Sequence, residues 1–539
     1  MGTSRPKMAR WSFSKHRWLA LIGGVSLLIW GISGLAHIAM VLFGPQQAQF
    51  MPPAAELSLS GARPVAETLA GAGIVKAVAV RTVAGSDRSL LQVTVDPMAP
   101  RRYFDLQKGT ELFDYDRVQA EFLARHFLGE ERPVAAVVLQ REFDAEYPWV
   151  NRLLPVWRVK FGGDDQLTAY VHTETSSISA VNNLMKVRLQ NVFRYLHTWE
   201  WVPPSMDWLR VMVIGLMVGS LAALAITGTM MLVAIRRSKR LRGSKGWHRL
   251  SGYVLALPLL MFSISGVYHL VQSAIEKPTS HLRMARPIDL SGQRFPIAEQ
   301  WEKVTAGLGV ASVSLVEGEN GRPLYRLGLA TPSGRIRMAE HDHSAGEKAD
   351  SDPHAGHAVH SDAPTTDQEI RNARFDGVQP TGPAYYIDAA NGEMAPQGDR
   401  EIARIIANRY LGANDSEIAS MELVTRFGVD YDFRNKRLPV WRVDYGVPHN
   451  ASVFVDTATG TFVDRLENWQ KPERYVFSLI HKWNFLFPIG RTSLNAVVGG
   501  FVFALIIFMG ILGLLLYLKG RHRVKAREFA GDAATTIDK

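Results

Sequence analysis

The chain has 539 residues and a formal net charge of +10, and hydrophobic residues make up 47% of it. At this length several folding units are expected rather than one core. Cysteine is absent, which excludes c-type haem attachment, cysteine-ligated iron–sulfur clusters, thiol catalysis and a disulfide framework.

The hydrophobic residues are concentrated in four segments, each long enough to cross a bilayer, which takes about 20 apolar residues. We place these membrane helices at residues 18–43, 208–235, 250–272 and 494–518. The sequence therefore predicts a membrane protein with four transmembrane helices, and with two large segments, 44–207 and 273–490, between them.

Basic residues set the predicted orientation of these helices. The segments rich in Lys and Arg are 1–17, 236–249 and 519–539. Short basic flanks of this kind stay in the cytoplasm, so both termini are predicted inside and the two large segments outside. The positive charge thus indicates membrane topology, and no nucleic-acid partner is expected.

The two halves of the chain repeat one another. Leu154-Pro-Val-Trp-Arg-Val159 recurs as Leu438-Pro-Val-Trp-Arg-Val443, and Val192-Phe-Arg-Tyr-Leu-His-Thr-Trp199 recurs as Val476-Phe-Ser-Leu-Ile-His-Lys-Trp483. The first and third apolar segments both contain Ile-Ser-Gly at the same offset from a leading histidine. We therefore predict an internal duplication, in which each half consists of a helix, an outer domain, a His-x-Trp segment and a second helix.

Each outer segment is predicted to be a small α+β domain. Apolar alternation in VWRVKF and AYVHTET is typical of strands, and the residues after Asp116 and Asp399 have helical periodicity, with these aspartates as expected N-caps. The second outer segment carries an insert, 330–384. Its histidines are predicted either to capture metal ions transiently or to belong to a solvated linker; they are His341, His343, His354, His357 and His360.

Six further histidines follow the repeat. His16 and His248 lie at the cytoplasmic ends of the first and third helices, and His37 and His269 lie twenty-one residues later at the outer ends. The other two, His197 and His481, precede the second and fourth helices. Ionisable residues near a bilayer are functional candidates, although a histidine can also be an interfacial anchor.

Paired imidazoles from facing helices fit haem b with two axial histidines. His16 with His248 is the predicted inner pair; the outer pair is either His37 with His269 or one that includes His197 and His481. Two haems would form an electron path across the membrane. Zinc or copper transport would favour carboxylates within the helices, which the apolar segments lack. No nicotinamide or flavin motif is present, so a quinol or a separate reductase is the expected electron donor.

These motifs resemble the PepSY-associated transmembrane family. The resemblance rests on His16-Arg-Trp-Leu, on His248-Arg-Leu-Ser-Gly, on the two Leu-Pro-Val-Trp-Arg-Val strands and on Val455-Asp-Thr-Ala-Thr-Gly460. It implies a bacterial inner-membrane protein that binds haem b and has two periplasmic PepSY-like domains. It also implies the activity of the family's ferrisiderophore reductases, which reduce Fe(III) carried by siderophores. The first repeat departs from the pattern at Val171-His-Thr-Glu-Thr, which lacks the Asp and Gly of the PepSY turn.

Four residues beside the outer histidines are candidates for siderophore docking: Trp199, Trp483, Arg194 and Arg491. The alternative is an aromatic belt with snorkelling arginines. The alternative for the whole protein is a membrane-anchored PepSY binding or regulatory module without redox activity. Such a module has no use for histidines at the cytoplasmic face, so His16 and His248 favour the reductase.

Overall fold

The computed structural model describes residues 4–53, 57, 61–234, 243–275, 286–291, 309–329, 377 and 384–520. Its helices are α1 (Ser4–Phe43), α2 (Val65–Gly71), α3 (Tyr115–Leu128), α4 (Leu184–Phe193), α5 (Asp207–Ala234), α6 (Ser244–Ile275), α7 (Asp399–Leu411), α8 (Lys471–Tyr475) and α9 (Arg491–Ala504). Among these described residues, three segments are π-helical: Arg194–Thr198, Val476–His481 and Leu505–Ile511.

Within the described residues, four helices are long and apolar enough to cross a membrane. They span Lys7–Phe43, Pro204–Ala234, Ser244–Ile275 and Arg491–Gly520, which confirms the four predicted membrane helices. α1 and α6 begin before their apolar segments do. Both carry a lysine in these leading turns, Lys7 in α1 and Lys245 in α6. A long basic side chain of this kind can keep its charge in water while the helix continues.

The membrane helices belong to one compact unit, together with the described residues of 185–206 and 472–490. α1 packs along α5 and along α9 with its π-helical continuation, and α6 packs along α5 and that same continuation. Every membrane helix contributes leucine to the core between them: Leu27, Leu221, Leu255, Leu259 and Leu505. A bundle of this kind brings side chains of facing helices together in an apolar interior.

The second compact unit contains the strands. These are β1 (Lys76–Ala77), β2 (Ala79–Ala84), β3 (Ser89–Thr94), β4 (Arg102–Asp105), β5 (Glu111–Leu112), β6 (Val134–Gln140), β7 (Val156–Phe161), β8 (Thr168–His172), β9 (Ser177–Asn182), β10 (Ile288–Asp289), β11 (Val310–Glu317), β12 (Pro323–Leu329), β13 (Ala384–Asp388), β14 (Met394–Ala395), β15 (Ile418–Val424), β16 (Val440–Tyr445), β17 (Ala451–Asp456) and β18 (Thr461–Glu467). β6 to β9 and β15 to β18 each form a four-stranded antiparallel sheet in chain order, and β1 pairs with β10.

The sequence predicts two separate outer domains, yet strands from both segments share an eight-stranded sheet. Its strand order is β14-β13-β12-β11-β2-β3-β4-β5. β11 and β2 join through Ser314 opposite Arg81 and Leu315 opposite Val80. Local periodicity reports which residues form a strand but not which distant strand it pairs with. The described parts of the two segments therefore make one compact α+β unit.

Each four-stranded sheet is covered by one helix. α3 packs on β6 to β9, where Leu123 and Val159 are fully buried, and α7 packs on β15 to β18, where Ile402 and Val443 are fully buried. The alternating burial of β7 and β16 matches the apolar alternation in their sequences. The arrangement of helix and sheet is the same in the two halves.

The prediction that Asp116 and Asp399 cap their helices is wrong. Asp116 lies in the first turn of α3, and Asp399 is the first helical residue of α7 after a glycine N-cap. Each carboxylate instead accepts a hydrogen bond from a buried tyrosine of the eight-stranded sheet, Tyr103 for Asp116 and Tyr386 for Asp399. Burial of a carboxylate requires such donors, and here they tie each helix to the sheet.

The turn after β8 differs in sequence from the turn after β17, yet an acidic residue at each turn forms an ion pair with the same arginine, Arg437. Asp456 pairs with Arg437 at 2.8 Å. In the first half the carboxylate comes from Glu174, which is fully buried and lies 3.6 Å from Arg437 and 3.3 Å from Arg101. A buried charge needs an opposite partner, so the first turn keeps an acidic group although its Asp is missing.

Candidate functional site

Histidines lie near both ends of the four-helix bundle. We call one end the basic end, where α1 and α6 begin and α5 ends, and the other the aromatic end, where α1 and α6 end and α5 and α9 begin. The basic end carries His16 and His248. The aromatic end carries a group that we call the aromatic-end histidines: His37, His197, His269 and His481.

At the basic end the ring of His16 lies near the ring of His248. Their centroids are 6.4 Å apart, with an angle of 59° between the ring planes. The Nδ1 atom of His16 lies 3.2 Å from the carbonyl oxygen of Leu224 on α5, and that of His248 lies 2.9 Å from the carbonyl oxygen of Phe508. The two histidines thus make the same kind of contact with the second helix of their own half.

These carbonyl contacts fix the protonation of each neutral ring. A carbonyl oxygen only accepts hydrogen bonds, so Nδ1 carries the proton and Nε2 keeps its lone pair. Metal-binding histidines commonly have this arrangement. A metal ion held at about 2 Å by one nitrogen of each ring would place the two centroids about 6 Å apart, which agrees with the separation of His16 and His248.

Glycines make room for both rings. A Cβ atom at Gly228 would lie 3.3 Å from Cε1 of His16, and a Cβ atom at Gly513 would lie 3.4 Å from Cε1 of His248. The first distance is tighter than most carbon contacts and the second is at the lower limit of ordinary contact, so a side chain larger than a methyl group at either position would push against the ring. The second helix of each half therefore supplies both a carbonyl and a gap.

At the aromatic end, serine hydroxyl oxygens contact the Nδ1 atoms of two histidines, as backbone carbonyl oxygens do at the basic end. Ser33 Oγ lies 2.9 Å from Nδ1 of His197, and Ser265 Oγ lies 3.0 Å from Nδ1 of His481. Each serine hydroxyl donates its proton to the carbonyl four residues earlier in its own helix. The serine oxygen therefore accepts from Nδ1–H, and Nε2 is again left with its lone pair.

A phenylalanine packs against both aromatic-end histidines of each half. The centroid separations are 4.9 Å for His37–Phe193, 4.5 Å for Phe193–His197, 4.0 Å for His269–Phe477 and 5.0 Å for Phe477–His481. Each half therefore brings its two aromatic-end histidines together on one phenylalanine ring.

In the part of the chain that the structure describes, one contact at the aromatic end occurs in the second half and not in the first. His269 donates from Nδ1 to Oε1 of Glu473, a carboxylate that is only 6% exposed. Glu473 lies four residues before Phe477, and the residue four before Phe193 is Leu189. A carboxylate bound to Nδ1–H orients the ring and makes Nε2 a stronger donor, so His269 differs electronically from His37.

The segments that carry His197 and His481 depart from regular helical geometry. Both are π-helical, and each is followed by a tryptophan in the left-handed region, Trp199 with φ 53° and Trp483 with φ 56°. For a bulky residue this conformation is strained, and both strain and single π-helical turns cluster at functional sites. Each helix therefore ends within two residues of its histidine, and the left-handed tryptophan begins the connection to the next membrane helix.

The residues predicted to dock a siderophore have unequal surroundings. Trp483 is 5% exposed and packs with Leu494 and Val498 inside the bundle, so it is an interior residue. Trp199 stacks on Trp30. Of the two arginines, Arg194 pairs with Glu200 at 2.6 Å and Arg491 lies 5.5 Å above the ring of Phe487. The five histidines predicted as metal ligands in the insert, His341, His343, His354, His357 and His360, lie outside the described residues.

Sequence reasoning found the six histidines but missed their partners. Ser33 and Ser265 stand in the repeated Ile-Ser-Gly motif, and Phe193 and Phe477 stand in the repeated Val-Phe pair, so the repeat itself pointed to them. Glu473 has no counterpart in the first half and therefore gave no signal.

In the described part of the chain, no cluster of three or more His, Cys, Asp or Glu side chains converges in a way that could hold a metal ion directly. Residues 13–306, a little more than half of the chain, match the protein family described as PepSY-associated TM region. No curated protein matches the chain. With its four apolar helices, the chain is a multi-pass membrane protein.

Proposed function

The chain belongs to the PepSY-associated transmembrane family, and we propose that it is a haem b protein that passes electrons across the bacterial inner membrane and reduces ferric siderophores in the periplasm. The pair His16 and His248 carries the proposal. Both rings have Nδ1 committed to a backbone carbonyl, and their separation of 6.4 Å suits one metal ion between them.

The residues present fit haem b. Axial coordination needs one neutral nitrogen donor from each of two facing helices in an apolar interior. His16 and His248 would hold one haem at the basic end. At the aromatic end, His37 with His269, or a pair including His197 and His481, would hold a second. Bound haem supplies a centre that accepts and gives one electron at a time.

The chain's own groups would prepare these ligands before the haem arrives. The carbonyls of Leu224 and Phe508 and the hydroxyls of Ser33 and Ser265 hold the imidazoles in one tautomer and one orientation. Ligands fixed in this way lose little freedom on binding. The apolar side chains of the bundle exclude water from the path between the two ends.

Basic flanks orient the proposed path. The positive-inside rule places the basic end and both termini in the cytoplasm and the two β-rich segments in the periplasm. The repeat supports an internal duplication, since each histidine contact to a carbonyl, serine or phenylalanine in the first half has a counterpart in the second. A duplication of this orientation relates the halves by an axis along the membrane normal.

The electron donor in this proposal is a membrane quinol or a separate reductase, because the sequence carries no nicotinamide or flavin motif. The acceptor comes from the finer resemblance to the ferrisiderophore reductase FoxB. That resemblance stays a prediction, since the family match does not reach an individual protein. Siderophores bind iron through hard oxygen atoms, which hold Fe(III) more tightly than Fe(II), so one-electron reduction loosens the complex.

The test is reoxidation of the reduced protein by a ferric chelate. The full chain, purified in detergent, is reduced with dithionite, freed of excess reductant without oxygen, and mixed with a ferric siderophore and an Fe(II)-trapping dye. We expect the reduced b-type spectrum to decay with one Fe(II) formed for each haem oxidised. If the protein contains haem but the chelate does not oxidise it, the proposed reductase activity is contradicted. A colourless protein would favour the PepSY binding or regulatory module.

A further inference from the structure

Four aromatic residues of the first half stack in sequence at the aromatic end. Trp30 and Trp199 have ring centroids 6.0 Å apart at 23°, Trp199 and Trp201 are 5.8 Å apart at 31°, and Trp201 and Tyr195 are 5.8 Å apart at 30°. We call Trp30, Trp199, Trp201 and Tyr195 the aromatic ladder. Offset and tilted rings at these separations are in favourable contact.

The two ends of the aromatic ladder lie in different surroundings. At one end Trp30 donates from Nε1 to the carbonyl oxygen of His197 at 3.2 Å. At the other end Tyr195 is 61% exposed and Trp201 is 55% exposed. The ladder therefore connects an aromatic-end histidine with the surface of the protein.

Backbone contacts hold the ladder in place. Trp199 donates from Nε1 to Leu196 at 3.0 Å, and Trp201 donates from Nε1 to Tyr195 at 3.1 Å, in both cases to the carbonyl oxygen. Trp199 also has the strained positive φ. Aromatic belts at a membrane surface need only single rings at headgroup depth. A continuous stack with a strained member requires a further reason.

The second half lacks the surface end of this stack. Phe485 stands where the first half has Trp201, and Leu479 stands where it has Tyr195. Trp483 stacks on Phe262 at 5.3 Å and 5°, and Phe485 lies 6.2 Å from Trp483. A stack that ends in a paired tryptophan and tyrosine thus belongs to the first half.

We propose that Tyr195 and Trp201 form the contact face through which electrons leave the protein for an iron(III) chelate. This inference rests on the proposed function. The nearby arginines are neutralised, Arg194 by Glu200 at 2.6 Å and Arg210 by its neighbouring aspartate at 2.6 Å. The face is therefore apolar and close to neutral, which suits the organic shell of a chelate more than a free metal ion.

The step at this face moves one electron. Chelated Fe(III) takes up one electron and becomes Fe(II); the aromatic-end histidines would hold the haem that supplies this electron. No bond is formed or broken, and no proton moves. The rings are not oxidised themselves; they replace water and gaps by closely packed atoms between the histidine group and the chelate, and packed atoms carry electron tunnelling better than empty space does.

The test compares matched positions of the two halves. Trp201→Ala and Tyr195→Ala are measured against Phe485→Ala, an equally exposed ring of the second half. The probe is iron(III) acetohydroxamate, added to the dithionite-reduced full chain with an Fe(II)-trapping dye. We expect the second-order rate of reoxidation to fall about tenfold in the first two variants, as for loss of an aromatic contact, and to stay near the wild-type rate in Phe485→Ala. Trp201→Phe should restore most of the rate because it keeps the stack.

The haem content and the reduced spectrum identify which proposal has failed. A wild-type protein that contains haem but is not oxidised by the probe contradicts the proposed function. A wild-type protein that is oxidised at the same rate as Trp201→Ala and Tyr195→Ala, with equal haem content, overturns the contact face alone. An equal slowing in Phe485→Ala overturns it as well, because the effect would then not belong to the first half.

Discussion

The residues that contact the histidines are the same kind in the two halves at the basic end, but they differ between the halves at the aromatic end. His16 and His248 each have a backbone carbonyl and a glycine on the following helix. At the aromatic end the second half adds Glu473 beside His269, and the first half adds Tyr195 and Trp201. The two halves thus share the carbonyl and serine contacts of their histidines, whereas Glu473, Tyr195 and Trp201 each belong to one half and make the aromatic end asymmetric.

The largest expected effect tests the symmetric end. His16→Ala and His248→Ala should each remove one haem per chain, because a single imidazole holds haem b weakly without its partner. A pyridine haemochrome count on purified protein measures the loss, with His126→Ala, a partly buried histidine of the β-rich unit, as the control. If either variant keeps its full haem content, His16 and His248 are not the two axial ligands of one haem.

A smaller loss of haem is expected when the two glycines at the basic end, Gly228 and Gly513, are replaced. Gly228→Val and Gly513→Val place side-chain carbon against the ring of His16 and His248 respectively, so each variant should bind less haem at the basic end. Gly219→Val and Gly500→Val, in the same two helices with open space around them, are the matched controls. Equal haem content in all four variants would show that ring placement does not depend on these gaps.

The third prediction concerns the asymmetry between His269 and His37. Glu473→Gln removes a negative charge and a strong acceptor from Nδ1 of His269, so the midpoint potential of the outer haem should rise. Spectroelectrochemical titration measures it, and Leu189→Gln in the first half is the control. The inner haem should keep its potential in both variants. An unchanged outer potential in Glu473→Gln would mean that the carboxylate does not act on a haem ligand.

The smallest effect concerns the β-rich unit and its acid stability. Burial raises the pKa of Asp399, but hydrogen bonds from Arg326 at 2.7 and 2.8 Å outweigh it and hold the pKa below the usual carboxyl value. A lowered folded-state pKa stabilises the protein above the unfolded-state pKa, and this stability is lost as the pH falls through the folded-state value. Asp399→Asn should therefore cost about 1–3 kcal/mol at neutral pH.

The difference in the free energy of unfolding between wild type and Asp399→Asn should shrink as the pH falls below about 4. Unfolding followed by circular dichroism at several pH values measures it. A difference that stays constant with pH would contradict a stabilising role for the ionised carboxylate.

Much of the membrane unit was predictable from sequence. Runs of apolar residues identified the four helices, and the family resemblance is confirmed by the match over residues 13–306. The repeat identified His16, His248 and the aromatic-end histidines as a set. What periodicity does not encode is the tertiary partner, so Glu473 beside His269 was not predicted.

The β-rich unit was less predictable, for a related reason. Local patterns gave the strands around Trp157 and Trp441, but the shared sheet depends on a short pairing between β2 and β11. The N-cap prediction failed at Asp116 and Asp399 because aspartate at a helix start is an equally good acceptor for a buried tyrosine. In both cases a contact between distant residues decided the structure.

The central claim is that the paired histidines hold haem b. The most direct measurement is the absorption spectrum of the detergent-purified wild-type chain from haem-replete cells, oxidised and dithionite-reduced, with a pyridine haemochrome count. We expect a b-type spectrum that changes on reduction and about two haems per chain. A colourless protein would contradict it and leave the histidines as interfacial anchors of a PepSY binding module.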